Sequence, residues 1–141
     1  MFLVHLLLAV VLAVPADVAP PWFDLGFALP GTNGPPRFEA SGPLTGGSVL
    51  RLDLLQAREN AHAYLVVGFS TLYAPYKGGV LVPAFDLLVE LPTNSQGEIH
   101  LQTHWPNGAP AGFPVVMQFW IDDPEAPQGR AGSNAVGALT P

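Results

Sequence analysis

The sequence contains no cysteine among its 141 residues. This absence excludes disulfide bonds, cysteine catalysis, thiolate zinc sites and a lipid attached to an N-terminal cysteine. A single domain of this length buries about two thirds of its unfolded surface, so it needs no disulfide to fold. An exported protein without disulfides is more typical of a bacterium than of a small secreted eukaryotic domain. The sequence also lacks an Asn-x-Ser/Thr glycosylation site.

Charged residues are scarce, at 11% of the chain against about a quarter in average proteins. The net charge is −6, and the five basic residues are scattered along the chain: Arg37, Arg51, Arg58, Lys77 and Arg130. No basic stripe is present to neutralise phosphates, so nucleic acids and anionic membranes are poor partners. So few charges indicate a surface of small polar residues, or one partly covered by another protein.

The N-terminus carries an apolar run from Phe2 to Val14, interrupted only by His5 and followed by Pro15 and Ala16. This pattern predicts a signal peptide over residues 1–16, cleaved near Ala16, although its start lacks Lys and Arg. As a helix the run would span about 20 Å, short of the roughly 30 Å of a bilayer core, so we expect no membrane span in the mature chain. The alternative to a signal peptide is that this run forms a buried N-terminal strand or helix. We therefore expect a secreted or cell-surface protein, with the periplasm as a further option.

Residues 17–36 are predicted to form a Pro/Gly-rich N-terminal arm, followed by one domain over residues 37–141. The arm carries four turn and linker dipeptides, namely Pro20-Pro21, Pro30-Gly31, Asn33-Gly34 and Pro35-Pro36. Between them lie the aromatic residues Trp22 and Phe23. These rings either fix the arm onto the domain or bind a neighbouring molecule.

Residues 114–122 carry the clearest periodic pattern in the chain. Apolar residues at every second position, Val115, Met117, Phe119 and Ile121, alternate with a mixed set. A helix would place its apolar residues three and four positions apart, whereas a period of two between prolines is typical of a strand. The sequence therefore predicts a core strand here.

Similar patterns predict strands over most of the remaining chain. These strands lie at residues 37–44, 48–56, 61–70, 80–82, 86–91, 98–104 and 133–139. Residues 71–79 are interpreted as a long loop, and a helix over residues 50–60 competes with one strand because good helix formers occur there. Because a single sheet would leave one apolar face in water, we predict an all-β fold: a two-layer antiparallel β-sandwich of seven or eight strands, immunoglobulin-like or related.

Several short motifs in the chain carry a resemblance to a known kind of domain. They are Ala74-Pro75-Tyr76-Lys77-Gly78-Gly79-Val80-Leu81-Val82-Pro83, Leu91-Pro92-Thr93, Trp105-Pro106-Asn107-Gly108, Gln118-Phe119-Trp120-Ile121-Asp122-Asp123-Pro124, Ser133-Asn134-Ala135 and Asp24-Leu25-Gly26. In order and spacing the chain resembles an uncharacterised β-rich domain of exported proteins from planctomycetes and similar bacteria, often found at the C-terminus of larger proteins. The resemblance implies a β-rich fold and export, and it implies no catalytic residues.

Metal ligands are the first chemistry to consider. His100 and His104 share one side of a predicted strand but lie about 13 Å apart along it, too far for one zinc ion unless the strand bends. Asp122, Asp123 and Glu125 form the densest acidic cluster and are a weak calcium candidate, because Pro124 interrupts them and the spacing of a calcium loop is absent. We expect no cofactor.

Aromatic residues in loops are the stronger binding candidates. Tyr73, Tyr76 and Trp105 lie in predicted loops, together with Trp22 and Phe23 of the arm, whereas Trp120 is expected to lie beneath a loop. No Gly-x-Ser-x-Gly motif is present, and we expect no enzyme. The sequence favours a non-catalytic secreted module that associates with a protein partner or with itself. The alternative is a carbohydrate-binding module whose rings stack on a glycan.

Overall fold

The computed structural model describes residues 21–141, so the signal peptide predicted for residues 1–16 lies outside the described residues. The described chain forms 11 strands. They are β1 (Trp22–Gly26), β2 (Arg37–Ser41), β3 (Val49–Leu55), β4 (His62–Gly68), β5 (Thr71–Tyr76), β6 (Gly79–Pro83), β7 (Leu87–Pro92), β8 (Ile99–His104), β9 (Pro114–Asp122), β10 (Arg130–Gly132) and β11 (Ala135–Leu139). Between residues 21 and 141 there is no helix of a length and apolarity suited to crossing a bilayer.

The strands form antiparallel sheets that pack against each other. The large sheet has the order β1-β11-β9-β4-β7, with β10 also paired to β9, and the small sheet has the order β2-β3-β8. The predicted β-sandwich is thus confirmed, but the predicted count of seven or eight strands is too low. The additional strands are β1 in the predicted arm, β5 in the predicted loop, and β10 between two predicted strands.

Strand β9 lies at the centre of the large sheet, and its bounds are those predicted from the sequence. The four alternating apolar side chains of β9 are buried in the main hydrophobic core. Across the sandwich they meet Phe38 of β2, whose ring makes an edge contact with Phe119 at 4.9 Å between centroids. Strand β3 adds Leu50, Leu52 and Leu54 to the same core, so the competing helix over residues 50–60 does not form.

The opposite face of β9 is covered by the hairpin of β5 and β6, which corrects the loop predicted for residues 71–79. The hairpin turns at Lys77 and Gly78, which both have positive φ, at 51° and 85°. Two-residue hairpin turns require this backbone and usually place Asn or Asp before the glycine. Because Lys77 occupies that position here, the sequence does not predict the turn.

Gln118 connects this hairpin to the large sheet. Its buried amide accepts the N–H of Val82 at 3.0 Å and donates to the carbonyl oxygens of Val80 at 3.2 Å and Ser133 at 3.0 Å. Buried backbone groups need partners, because an unsatisfied one costs about 1–3 kcal/mol. One side chain thus satisfies groups on β6 and on the segment before β11.

The described part of the predicted arm contributes to the sandwich. Strand β1 pairs with β11, and Trp22 is buried in the core with its indole N–H donating to the carbonyl of Gly42 at 3.2 Å. Leu29 also forms a backbone bridge with Gly132. Trp22 therefore fixes this segment onto the domain, which is the first of the two alternatives predicted for the aromatic residues of the arm.

We expect Gln118→Leu to lower the free energy of unfolding by about 2–4 kcal/mol, since it leaves buried backbone groups of β6 without partners. Chemical denaturation followed by tryptophan fluorescence measures this loss. Gln102→Leu, at an exposed position on β8, is the matched control and should change stability by less than about 0.5 kcal/mol. Equal effects of the two substitutions would contradict the structural role of Gln118.

Candidate functional site

The three carboxylates proposed as a weak calcium site do not converge. Asp122 accepts from Arg130 Nε at 3.0 Å and from the hydroxyl of Tyr64 at 3.2 Å, so its charge is already paired. Glu125 is exposed in the following turn, and only its backbone N–H contacts Asp123. Within residues 21–141 no group of three or more His, Asp or Glu side chains is arranged to hold a metal ion.

Asp123 instead fixes a distant loop. Its buried carboxylate accepts the N–H and the hydroxyl of Thr32, both at 2.7 Å, and the N–H of Glu125 at 3.0 Å. Gly31 allows this approach, because a Cβ at residue 31 would lie 2.2 Å from the carboxylate oxygen. Burial by itself would raise the pKa of Asp123, but the hydrogen bonds from Thr32 and Glu125 outweigh it and lower the pKa below its usual value.

This lowered pKa predicts an acid-sensitive contribution to stability. The contribution is fully present above the unfolded-state pKa of Asp123, and it is lost as pH falls through the lower folded-state pKa. We expect Asp123→Asn to cost about 1–3 kcal/mol at pH 7, because an amide nitrogen would face the donors of Thr32. Thermal unfolding at pH 7 and pH 3 measures both effects, and the variant should lose less stability on acidification than the native chain. Glu125→Gln is the control, and the same loss in both variants would refute the role of Asp123.

One exposed cluster on the small sheet combines a histidine with two carboxylates. His100 contacts Asp53 Oδ1 through Nδ1 at 2.6 Å and Glu98 Oε1 through Nε2 at 2.8 Å. The hydrogen bond with Asp53, and then the one with Glu98, raises the pKa of His100. His104 lies four residues further along β8, opposite Val49 of β3. Both ring nitrogens of His100 thus contact carboxylates.

We expect this cluster to add stability on the acidic side of neutrality. This contribution to stability is fully present below the unfolded-state pKa of histidine, and it is lost as pH rises through the raised folded-state pKa of His100. Melting temperatures recorded from pH 5 to pH 9 should therefore decline less for His100→Gln than for the native chain. His104→Gln serves as the control on the same strand, and a pH profile of His100→Gln that matches the native one would exclude this contribution.

The structure separates the five aromatic candidates. Trp22 is buried, and Trp105 packs on the core with an indole N–H that has no partner among the described residues. Phe23 is 61% exposed on β1. Tyr73 is 47% exposed on β5 and contacts the ring of Phe27 edge-on at 5.6 Å. The candidates therefore do not form one continuous platform.

Tyr76 is the candidate that lines a pocket. Its ring contacts buried Trp120 edge-on at 4.9 Å, and its hydroxyl accepts a hydrogen bond from Arg130. The guanidinium of Arg130 also lies over the ring of Tyr64, 4.1 Å from the centroid. The pocket has a volume of about 250 Å³ and is lined by Tyr64, Val66, Tyr76, Leu81, Phe85, Leu88, Trp120 and Arg130. Sequence reasoning missed most of this lining, because the lining residues come from six different strands and the loop before β7 and meet only in the fold.

Strand β7 forms the edge of the large sheet beside this pocket, which it shares through Leu88. Three consecutive apolar side chains of β7 are exposed: Leu87 at 53%, Leu88 at 43% and Val89 at 42%. The large sheet has five strands in its main order, whereas the small sheet has three and leaves this edge uncovered. Proteins rarely leave an apolar edge strand in water, because its free backbone groups pair with other strands.

The edge strands of the large and small sheets differ in how they are protected against pairing. Strand β2 presents the ion pair of Arg37 and Glu39, and strand β1 is interrupted by an irregularity between Asp24 and Gly26. Strand β8 presents polar side chains, including His100. Strand β7 pairs with β4 in an unbroken register over six residue pairs, so it is regular, and Glu90 is its one charged residue.

No protein-family model matches the chain, and neither a curated protein nor a solved structure is significantly similar to it. The resemblance to a domain of exported planctomycete proteins therefore stays a prediction.

Proposed function

We propose that this protein is a non-catalytic structural module that acts by association of its own copies through strand β7. The observation that carries the proposal is the run of exposed apolar residues Leu87, Leu88 and Val89 on a regular edge strand. Pairing with another strand would satisfy the free backbone groups of this edge and bury its side chains. The signal peptide predicted for residues 1–16 supports a location outside the cytoplasm.

The hydrogen bonds of the described residues support a role without catalysis. Ser133 is buried, and its hydroxyl accepts the N–H of Phe119 and donates to the carbonyl of Asn134. His100 contacts only carboxylates. Between residues 21 and 141 no serine hydroxyl is hydrogen-bonded to a histidine, which is the arrangement that an activated serine requires.

Glycan binding has less support than association. Stacking on a sugar requires an exposed ring face, but Trp22 and Trp120 are both buried. Tyr76 is held between Arg130 and Trp120. Tyr73 and Phe23 present exposed rings, yet the pocket itself is lined mainly by apolar atoms.

We expect the full chain to form dimers in a concentration-dependent way and Val89→Lys to weaken this association at least about tenfold, since a buried lysine at the edge opposes pairing. Sedimentation equilibrium over a wide concentration range measures the dissociation constant. The matched control is Val49→Lys, because Val49 is 40% exposed against 42% for Val89 but lies on the central strand of the small sheet. A chain that stays monomeric throughout, or equal weakening by both substitutions, would overturn the proposal.

A further inference from the structure

We propose that two copies of this chain pair their β7 strands antiparallel about a two-fold axis through Val89, which joins two large sheets into one. This inference rests on the proposed self-association and adds its symmetry and register. The pairing is closed, because it occupies the β7 edge of both copies and leaves none to add a third. It therefore produces a dimer and no fibre.

The direction of the backbone groups along β7 follows from its pairing with β4. The N–H of Thr93 donates to the carbonyl of Ala61, and residues 87, 89 and 91 follow it at intervals of two in the same register. Because backbone direction alternates along an antiparallel strand, the N–H and C=O groups of Leu88 and Glu90 point away from the sheet. Leu88 and Glu90 thus offer two donors and two acceptors at the free edge.

A symmetric pairing has few possible registers. Because both strands are identical and facing side chains must lie on the same side of the sheet, the axis has to pass through a residue. With the axis at Val89, Leu88 lies opposite the partner's Glu90 and exchanges two hydrogen bonds with it. Symmetry doubles this number to four, so all outward groups of Leu88 and Glu90 are satisfied.

Charge and proline content disfavour the neighbouring registers. An axis through Leu88 places Asp86 opposite the partner's Glu90, and an axis through Glu90 places the two glutamates opposite each other. Like charges that face each other across strands are destabilising. The second register also sets Leu88 against the partner's Pro92, which has no N–H to donate. The register at Val89 avoids all of these pairings.

The side chains fit the same register. On the face toward the core, Val89 meets its own symmetry copy, and Leu87 meets the partner's Leu91, so three apolar pairs form. On the pocket face, Glu90 lies opposite the partner's Leu88 and keeps its contact with His62 of its own chain, at 3.7 Å. The partner's Glu90 would then stand beside Leu88 at the margin of the aromatic pocket.

The size of such an interface sets its strength. Stable complexes bury about 1,200–2,000 Å² in total, with about 20–30 residues on each side, and one six-residue edge strand supplies less than that. We therefore expect a weak, reversible dimer, for which covalent trapping is the appropriate measurement. The complete absence of native cysteine means that any introduced thiol reports on its own position alone.

The experiment compares disulfide formation in single-cysteine variants of the full chain, Val89→Cys, Leu87→Cys, Leu91→Cys, Leu88→Cys and Glu90→Cys, with Val49→Cys as the exposed control. In the proposed register the two Cα atoms at residue 89 lie about 4.5 Å apart, within the range of a disulfide. At residue 87 the two copies lie about 13 Å apart, beyond that range. Non-reducing electrophoresis after mild oxidation measures the fraction of cross-linked chain.

We expect Val89→Cys to cross-link at least about tenfold faster than Val49→Cys, since only the former places two thiols within bonding distance. Leu87→Cys and Leu91→Cys should each react slowly alone and rapidly when mixed, which distinguishes this register from random collision. Faster reaction of Leu88→Cys or Glu90→Cys, or equal rates at all positions, would overturn the inference. If sedimentation still showed dimers that Val89→Lys weakens, the proposed self-association would survive and only this geometry would fail.

Discussion

Strand β9 is buried on both of its faces, and this burial determines where the other elements pack. Antiparallel sheets commonly keep one face in water, whereas seven consecutive residues of β9, from Val115 to Ile121, are buried here. The small sheet covers one face through Phe38 and its neighbours, and the β5–β6 hairpin covers the other face around Gln118. The chain therefore forms a sandwich with a partial third layer, and the hairpin has a packing role.

Three buried polar side chains fix the positions of these layers relative to one another. Gln118 binds the hairpin, Asp123 binds the loop at Thr32, and Asn134 both accepts the N–H of Phe38 and donates to its carbonyl. The partners of Asp123 and Asn134 lie 91 and 96 residues away in the sequence. Apolar packing tolerates small shifts, but a buried hydrogen bond is lost when its partner moves, so these contacts define one arrangement of the elements.

The sequence predicted the parts of the fold that depend on local periodicity. Alternation of apolar residues located β9 to the residue and located β3, β4 and β8 within one or two residues at each end, because one face of each strand lies in the core. Strands β1 and β10 receive their register from β11 and β9, and local sequence does not encode this pairing. Strand β5 was missed because Pro75 and the Lys77-Gly78 turn resemble a loop. The pocket was missed for a related reason, since Arg130, Tyr64 and Tyr76 meet only through strand pairing.

The exposed edge follows from the unequal width of the two sheets. Alternation at Leu87, Val89 and Leu91 predicts a buried face, and it would be buried if the opposing sheet extended as far. The small sheet ends after three strands, so Leu91 reaches the core but Leu87 and Val89 extend beyond it. A fourth strand in the small sheet would bury these residues within one chain, whereas the proposed pairing with a second β7 would satisfy the backbone of the edge between chains. One charge among the six residues of β7, that of Glu90, is weak protection for an edge strand, and it is compatible with the proposed pairing because Glu90 would then lie opposite the partner's Leu88.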